Sequence, residues 1–511
     1  MNRFVERFTS SIITVLACHD RVIFKGYLPF GGDEHLNRFV DHGLKIKRKD
    51  FLPFVEKHSQ RIVEHAKTLA QKADVPYQFL QGDHSKEKIV RDLLRAKPYA
   101  DGLVTVLCVM ENCRSVKLLH DAGRPRLAFR RRPLRVLYHY FLDPDFGLIH
   151  VRQETGFPFT VQVYVNGHDW LARQMHQQRL GFVQTDNAFT QLDDPQRAQT
   201  LADGFARLKW VDVLDRWVRL VNPLLDESWL GQRSYRWVVD QAEFSTDVLF
   251  DSQASLQQIF PTLLQHAALN FSADDILGFL GRRRHPCFDG EVLTDLKTNR
   301  LPGARVKHRV KGNWLKMYDK FGVVLRIETV INQPRDFKVR RQRLRHGQRV
   351  MLWCPMNKGV CNLPHSHAIA RASNERYLDA LAQAVMPCAA AAIVDQVHKP
   401  VRFKGRRSRP LNVLSPAEQK LFFAVLRGDH RLRGFRNTDV LAHLYPTPAR
   451  CAAERRRRTN AVSRKLHLLR AHGLIRRVPR SYRYLITRKG ESLMNAAIYV
   501  RYRAFPKELA A

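Results

Sequence analysis

The sequence predicts an α+β protein of several domains, with a central antiparallel sheet, helices on one face of it, an α/β N-terminal region and a basic helical unit at the C-terminus. Three observations carry this. Alternating or β-branched runs cluster at 134–165, 234–250 and 305–332, while helical-period segments lie between and after them. A hydrophobic content of 44% over 511 residues suffices for about two to four packed domains. The charge changes character along the chain, and the expected boundaries follow it: 1–125 α/β, 126–340 central sheet, 341–398 helical, 399–414 basic linker and 415–511 C-terminal unit.

In chain order, residues 1–21 hold a short apolar run with an early acidic residue and no small-residue cleavage pattern, so they read as a helix and not a leader. Residues 21–27 read as a strand, 51–73 as a helix and 76–80 as short and extended. Ser85 caps a helix towards Ala96, and 103–110 is a continuous apolar run suited to a buried strand. Asp20 heads the first strand and Glu111 ends the last. Acidic residues so placed suit a divalent ion, as in an RNase H-like nuclease, and solvation is the plainer role.

The run RPRLAFRRRPLR at 124–135 holds six arginines. It reads as a basic loop or linker in which Arg130, Arg131 and Arg132, beside Phe129, track a nucleic-acid backbone. Residues 134–142, 147–154 and 157–165 form an antiparallel set, turned by Asp143-Pro144-Asp145 and ended by Asn166-Gly167 before a helix at 168–178. His150 and Glu154 share a strand face and are secondary metal candidates, with hydrogen-bonded structural roles as the alternative. Residues 193–225 are helical. The strand at 234–250 places Glu243 and Asp247 on one face, and 255–281 is one or two helices.

Residues 305–332 then form a meander. Arg305 to Val310 alternates, Lys311-Gly312-Asn313 turns the chain, 314–318 is a second strand, Phe321-Gly322 turns again, and 323–331 is β-branched. A polar set lies along it: His308, Lys316, Tyr318, Lys320, Arg326 and Glu328. A tyrosine attacks a DNA phosphate when a base or metal removes its proton, a carboxylate or imidazole holds a divalent ion, and Lys or Arg neutralises developing charge. The plain alternative is an interface tyrosine beside a Lys320–Glu328 cross-strand ion pair.

The run Lys316-Met317-Tyr318-Asp319-Lys320, with Leu325-Arg326-Ile327-Glu328 after it, resembles the "YDK/YNK … R-x-E" signature of rolling-circle replication initiators of plasmids and filamentous phages. The resemblance implies that Tyr318 is a nicking nucleophile and Glu328 a metal ligand. It is local, and the chain departs from other branches of that superfamily. Its H-x-H, His365-Ser366-His367, follows Pro364 in a loop-like context rather than lying on a strand. The cadence of the whole chain also resembles multi-copy bacterial open reading frames, which suits a mobile element.

With 86 Lys+Arg against 48 Asp+Glu, the net charge of +38 points to a polyanion, and the phosphate backbone is the expected one. No apolar run is long enough to span a bilayer. Eight scattered cysteines form no disulfide framework and fit a reducing cytoplasm. Cys354, Cys361, His365 and His367 are poorly spaced for zinc, and a loop with two buried thiols is the simpler reading.

After the meander another basic run opens at 335–341, and 372–397 reads as a helix that Pro387 interrupts. The C-terminal pattern is more regular. Residues 400–410 are a Pro-bounded basic linker, and Ser415-Pro416-Ala417-Glu418 is a capping box with proline at the first helical position. A second helix spans 436–445, and a third, 452–472, carries Val462, Leu466 and Leu469 at helical spacing and ends at Gly473. Residues 474–478 and 482–487 pair as strands before a closing helix at 491–502. That order is a winged helix, whose third helix enters the major groove. From Lys399 onwards, 28 Lys+Arg face 6 Asp+Glu, a net of +22. Arg455, Arg456, Arg457, Arg458, Lys465, Arg480 and Arg483 are expected on phosphates, with Asn460 or Arg464 on base edges.

The expectation is therefore a DNA-binding protein of a mobile or replicative element, nicking DNA with Tyr318 and Mg²⁺ or Mn²⁺. Lys316, Lys320 and Arg326 would assist, and Glu328, His308, Glu243 and Asp247 would serve as ligands. The DNA is single-stranded, duplex or both, and RNA remains an alternative. One rival is a non-catalytic nucleic-acid-binding regulator. The other is a metal-dependent nuclease or transposase built on Asp20, Glu111 or Glu243 and Asp247.

Overall fold

The computed structural model describes residues 2–504, apart from 83, 97, 122–123, 231–232, 283–290, 299–302, 346, 385–396, 404, 428–429, 431–433 and 480. The chain divides into two units, one of Met1–Phe260 with Ala267–Asp379, the other of Ala380–Ala511 with Pro261–His266. The chain begins α1 (Asn2–Arg7), β1 (Ile12–Tyr27), α2 (Asp33–Arg38), α3 (Phe51–Lys72), β2 (Tyr77–Phe79), α4 (Lys86–Ala96), β3 (Gly102–Asp121), β4 (Arg124–Asp143), β5 (Gly147–Glu154) and β6 (Val161–Asn166). Then come α5 (Gly167–Gln177), β7 (Phe182–Thr185), β8 (Ala188–Leu192), α6 (Pro195–Gly204), α7 (Trp210–Val221), β9 (Arg236–Phe250), α8 (Gln253–Leu269) and α9 (Ala273–Phe279). The meander strands are β10 (Val292–Lys297), β11 (Arg305–Val310), β12 (Asn313–Lys320) and β13 (Val324–Ile331), followed by β14 (Lys338–Arg345), β15 (Gln348–Pro355) and α10 (Leu363–Leu381).

The class is α+β. One sheet of eleven strands, in the order β10-β11-β12-β13-β9-β1-β6-β5-β4-β3-β2, dominates the first unit. Its pairings are antiparallel except β2 on β3, which is parallel. Alternation along β3 decides what covers each face. Val106 and Cys108 pack with Ile62 and Ala66 of α3, while Leu107 and Val109 pack with Val90 of α4. Helix α4 therefore lies on the face opposite α3 at this end of the sheet.

Several expectations need correction. The boundary at 125/126 falls at the head of β4, which pairs along its length with β3, and β1 runs through the middle of the sheet between β9 and β6. The 124–135 run is strand, not linker: it pairs with β3 throughout, with Leu127, Ala128, Phe129 and Leu134 buried and Arg130, Arg131 and Arg132 exposed between them. Residues 1–21 form only a six-residue helix, because the β-branched Ile12, Ile13, Thr14 and Val15 already belong to β1. The segment at 341–398 opens with the β14–β15 hairpin, and the expected helix near Pro387 falls outside the described residues. The 399–414 stretch carries a small hairpin, β16 (Val401–Phe403) with β17 (Arg406–Ser408).

The second unit follows the expected order. It has α11 (Pro416–Val425), α12 (Asn437–Leu444), α13 (Ala452–Ala471), β18 (Ile475–Arg477), β19 (Tyr484–Ile486) and α14 (Arg488–Tyr499). The Ser415 hydroxyl accepts from the Glu418 amide, as the capping sequence requires. Val462, Leu466 and Leu469 pack on Leu421, Phe422 and Val425, and Phe435 bridges Tyr484 beside the β18–β19 hairpin. Helix–helix–helix–hairpin–helix is the winged-helix arrangement. Arg455, Arg456, Arg457, Asn460 and Arg464 are exposed on α13, and Arg458 instead donates to Glu454 and to the Thr447 carbonyl. Lys465 and Arg483 are half-buried, and Arg480 lies outside the described residues.

Candidate metal centre

Three adjacent strands, β13, β9 and β1, bring Glu328, Glu243 and Asp20 together, and one oxygen from each lies within 4.8 Å of the others. The alternation of β9 puts Glu243, Ser245 and Asp247 on one face. Ser245 stands opposite Glu328 and Asp247 opposite Arg326, and on the next strand Tyr318 faces Arg326 and Lys316 faces Glu328. Asp20 joins them through a bulge. His19 pairs with Phe244 and Val22 with Ala242, so Asp20 and Arg21 together oppose Glu243. Asp20, Glu243 and Glu328 are all buried.

Cations surround the trio. The Lys316 ammonium donates to Glu328 Oε1 and lies 3.6 Å from Glu243 Oε1. Half-exposed Arg21 donates to the same Glu243 oxygen at 2.8 Å, and Gln241 at 2.6 Å. Arg326, fully buried, grips Asp247 through Nε and Nη2, each at 2.6 Å, donates to the Asn187 carbonyl, and lies 3.5 Å from Asp20 Oδ2. His168, at the start of α5, sits with Nδ1 3.4 Å from Asp20 Oδ1. Its Nε2 lies 3.9 Å from Asp247 Oδ2 and 3.2 Å from Arg326 Nη2. The Arg326 contact asks for an unprotonated Nε2, while the two carboxylates pull for the imidazolium.

The carboxyls are held differently. Burial pushes Asp20 up, but His168 and Arg326 overcome it and hold this carboxyl below the ordinary range. Glu328 is raised, first by burial and then by the charges of Glu243 and Asp20, with Lys316 opposing. The Tyr318 hydroxyl donates to Glu328 Oε2 at 2.8 Å, and its proton is held well above the ordinary phenol range by burial first and by Glu328 second.

Three carboxylates offering hard oxygen donors suit Mg²⁺ or Mn²⁺. Asn187 supports that fit. Its Nδ2 donates to Asp20 Oδ1 at 2.9 Å, while its Oδ1 is buried without a hydrogen-bond partner. A carboxamide turned about its last bond presents that oxygen to an ion held at Asp20. An ion held by Glu243 and Glu328 would compete with the Lys316 ammonium for their oxygens.

The structure assembles Tyr318, Lys316, Arg326, Glu328, Glu243 and Asp247 from the expected set, although Asp247 is committed to Arg326. It separates others. His308 pairs with Leu315 and Thr294, so alternation turns it to the opposite face, where it meets the Tyr377 hydroxyl at 2.9 Å. Lys320 reaches Asp186 at 3.1 Å, and the cross-strand ion pair is Lys316–Glu328, not Lys320–Glu328. Glu111 is separated from Asp20 by three intervening strands in sheet order and binds Arg152 at 2.7 Å, which also holds Glu154. Those three line a cavity of about 420 Å³, and His150 stacks on Tyr164. Cys361 is exposed and Cys354 half-buried on β15, and neither joins a cluster of ligating residues among the described residues.

Sequence reading missed Arg21, His168 and Asn187, and it assigned Asp20 a different partner. The bulge that turns Asp20 towards Glu243 has no sequence signal of the glycine kind. His168 had one, because Asn166 caps α5 and fixes where the next turn points. Comparison with protein-family models, with curated proteins and with solved structures finds no match in any of the three. No helix among the described residues is long and apolar enough to cross a membrane.

Proposed function

We propose that this chain is a DNA-processing protein of a mobile or replicative element, cutting or transferring strands by phosphoryl transfer at Mg²⁺ or Mn²⁺ held by Asp20, Glu243 and Glu328. The observation that carries the reading is the convergence of these three carboxylates, from three adjacent strands, in a chain of net charge +38. The ion would supply Lewis acidity and a more acidic bound water. Around it, Arg21 and Lys316 would steady a phosphate as its charge grows, Arg326 would fix the positions of Asp247 and Asp20, and Tyr318 would orient Glu328. The winged helix would supply duplex affinity through its exposed arginines.

A second reading follows from one contact. Tyr318 donates its proton to a carboxylate, Glu328, 2.8 Å away, which is the pairing a tyrosine nucleophile needs. Burial and a firmly held proton favour water over tyrosine as the attacking group. End-labelled DNA incubated with protein and Mn²⁺, then run on a denaturing gel, separates the two. The proposal expects cleavage that Glu328→Gln and Glu243→Gln abolish and Tyr318→Phe reduces but retains. Label bound covalently to protein, and lost in Tyr318→Phe, would replace it with the tyrosine mechanism. Cleavage unaffected by both carboxylate variants would remove the site.

A further inference from the structure

The hairpin of β14 and β15 is absorbed by neither the metal centre nor the winged helix. Residues 338–355 contain Lys338, Arg340, Arg341, Arg343, Arg345 and Arg349, and no Asp or Glu. Its root is anchored: Val339 is buried, Arg341 donates to Asn362, and the Met356 amide donates to the Phe337 carbonyl. Beyond Arg341 the side chains of β14 are exposed. The pairing of Arg340 with Trp353, Gln342 with Met351 and Leu344 with Arg349 builds one continuous face. That face is open to solvent throughout, with Trp353 66%, Met351 48% and Leu344 73% exposed. Arg343 and Arg345 project from the other face.

Six cations without an acid repel one another on a free ribbon, and three large apolar groups in water are a further cost. A polyanion relieves the first, and a groove lined with base edges relieves the second. A strand of nucleic acid lying across a sheet needs cations on one face. A ribbon set between two phosphate walls is served by cations on both faces, and this one has them. Eight paired residues span about 27 Å, and a two-stranded ribbon fits a major groove about 12 Å wide.

We propose that the β14–β15 ribbon is a second DNA-binding element that seats in the major groove of duplex DNA. Trp353, Met351 and Leu344 turn towards the base edges, and Arg340, Arg343, Arg345 and Arg349 reach phosphates. This rests on DNA being the partner and is independent of the metal chemistry.

The test is the salt dependence of binding of the full chain to a labelled duplex, followed by fluorescence anisotropy in EDTA so that no cutting contributes. Replacing Arg340, Arg343 and Arg349 by alanine is expected to lower the slope of log K against log salt by about 2.7, three phosphate contacts at about 0.9 each. Replacing the same three by lysine is expected to restore it. Trp353→Ala is expected to weaken duplex binding without changing the slope. An unchanged slope in the alanine variant, or a deficit confined to single-stranded DNA, overturns the groove seating while leaving the metal site standing. Failure of the wild-type chain to bind duplex at all overturns both this inference and the DNA reading beneath it.

Discussion

Arg326 is the residue on which the floor of the site depends. Its guanidinium is fully buried and is held by Asp247, Asp20 and the Asn187 carbonyl. Removing one partner of such a pair strands the other charge in a low-dielectric interior. Arg326→Leu is therefore expected to cost about 3–5 kcal/mol in urea unfolding, and adding Asp247→Leu is expected to recover most of that. A double variant no more stable than the single one would show that Asp247 is not the partner that matters. Residue chemistry was partly legible in the sequence. The meander was read with Lys316, Tyr318, Arg326 and Glu328 along it, and the cross-strand pairs Lys316–Glu328 and Tyr318–Arg326 put these four on one side, as a period of two requires. Parity also puts His308 on the opposite side, and its inclusion among the ligands overlooked this. Asp20 was recognised as acidic at a strand, but the carboxylates it meets, Glu243 and Glu328, belong to strands more than two hundred residues away, and no local pattern encodes that.

At the scale of elements, the bulge in β1 and the start of α5 position Asp20 together. Gly167 begins α5, and a Cβ built there would lie 2.2 Å from the His19 carbonyl oxygen, which is backbone and cannot step aside. Gly167→Ala is expected to shift β1 at His19 and Asp20, lowering stability by about 1–3 kcal/mol and weakening Mn²⁺ binding. Wild-type Mn²⁺ affinity in a destabilised Gly167→Ala protein would separate the bulge from the site. Regular elements were the most legible part. The helix of α3, the Ser85 cap of α4, strands β11, β12 and β13 and the Ser415 capping box follow from periodicity and cap chemistry alone. Basic segments were the least legible. The 124–135 run was read as a loop or linker and 335–341 only as a basic run, because arginine carries little β preference and the pairing partners of β4 and β14 are set by tertiary contacts.

Across the whole molecule, buried histidines tie stability to pH. Burial lowers His139 to about 4 and His308 to about 4, so each is neutral in the folded protein. Their folded pKa lies below the unfolded value near 6.5, so the folded state binds fewer protons. Their contribution is intact above about pH 6.5 and is lost as pH falls towards 4, by about 3 kcal/mol each. Urea midpoints of His139→Leu measured between pH 7 and pH 4 are expected to fall less steeply than those of the wild type. A parallel decline would place the acid sensitivity elsewhere. Among the described residues, the first unit combines a large sheet, one cluster of three buried carboxylates and an exposed basic ribbon, and the second unit carries the winged helix.

The most direct test of the metal centre is a crystal of the full chain soaked in Mn²⁺ and measured at the manganese absorption edge. The account predicts an anomalous peak about 2.2 Å from oxygens of Asp20, Glu243 and Glu328, with the Lys316 ammonium displaced and the Asn187 carboxamide oxygen turned inward. Manganese bound elsewhere, with Lys316 still between Glu243 and Glu328 at a concentration that supports cleavage, would contradict it.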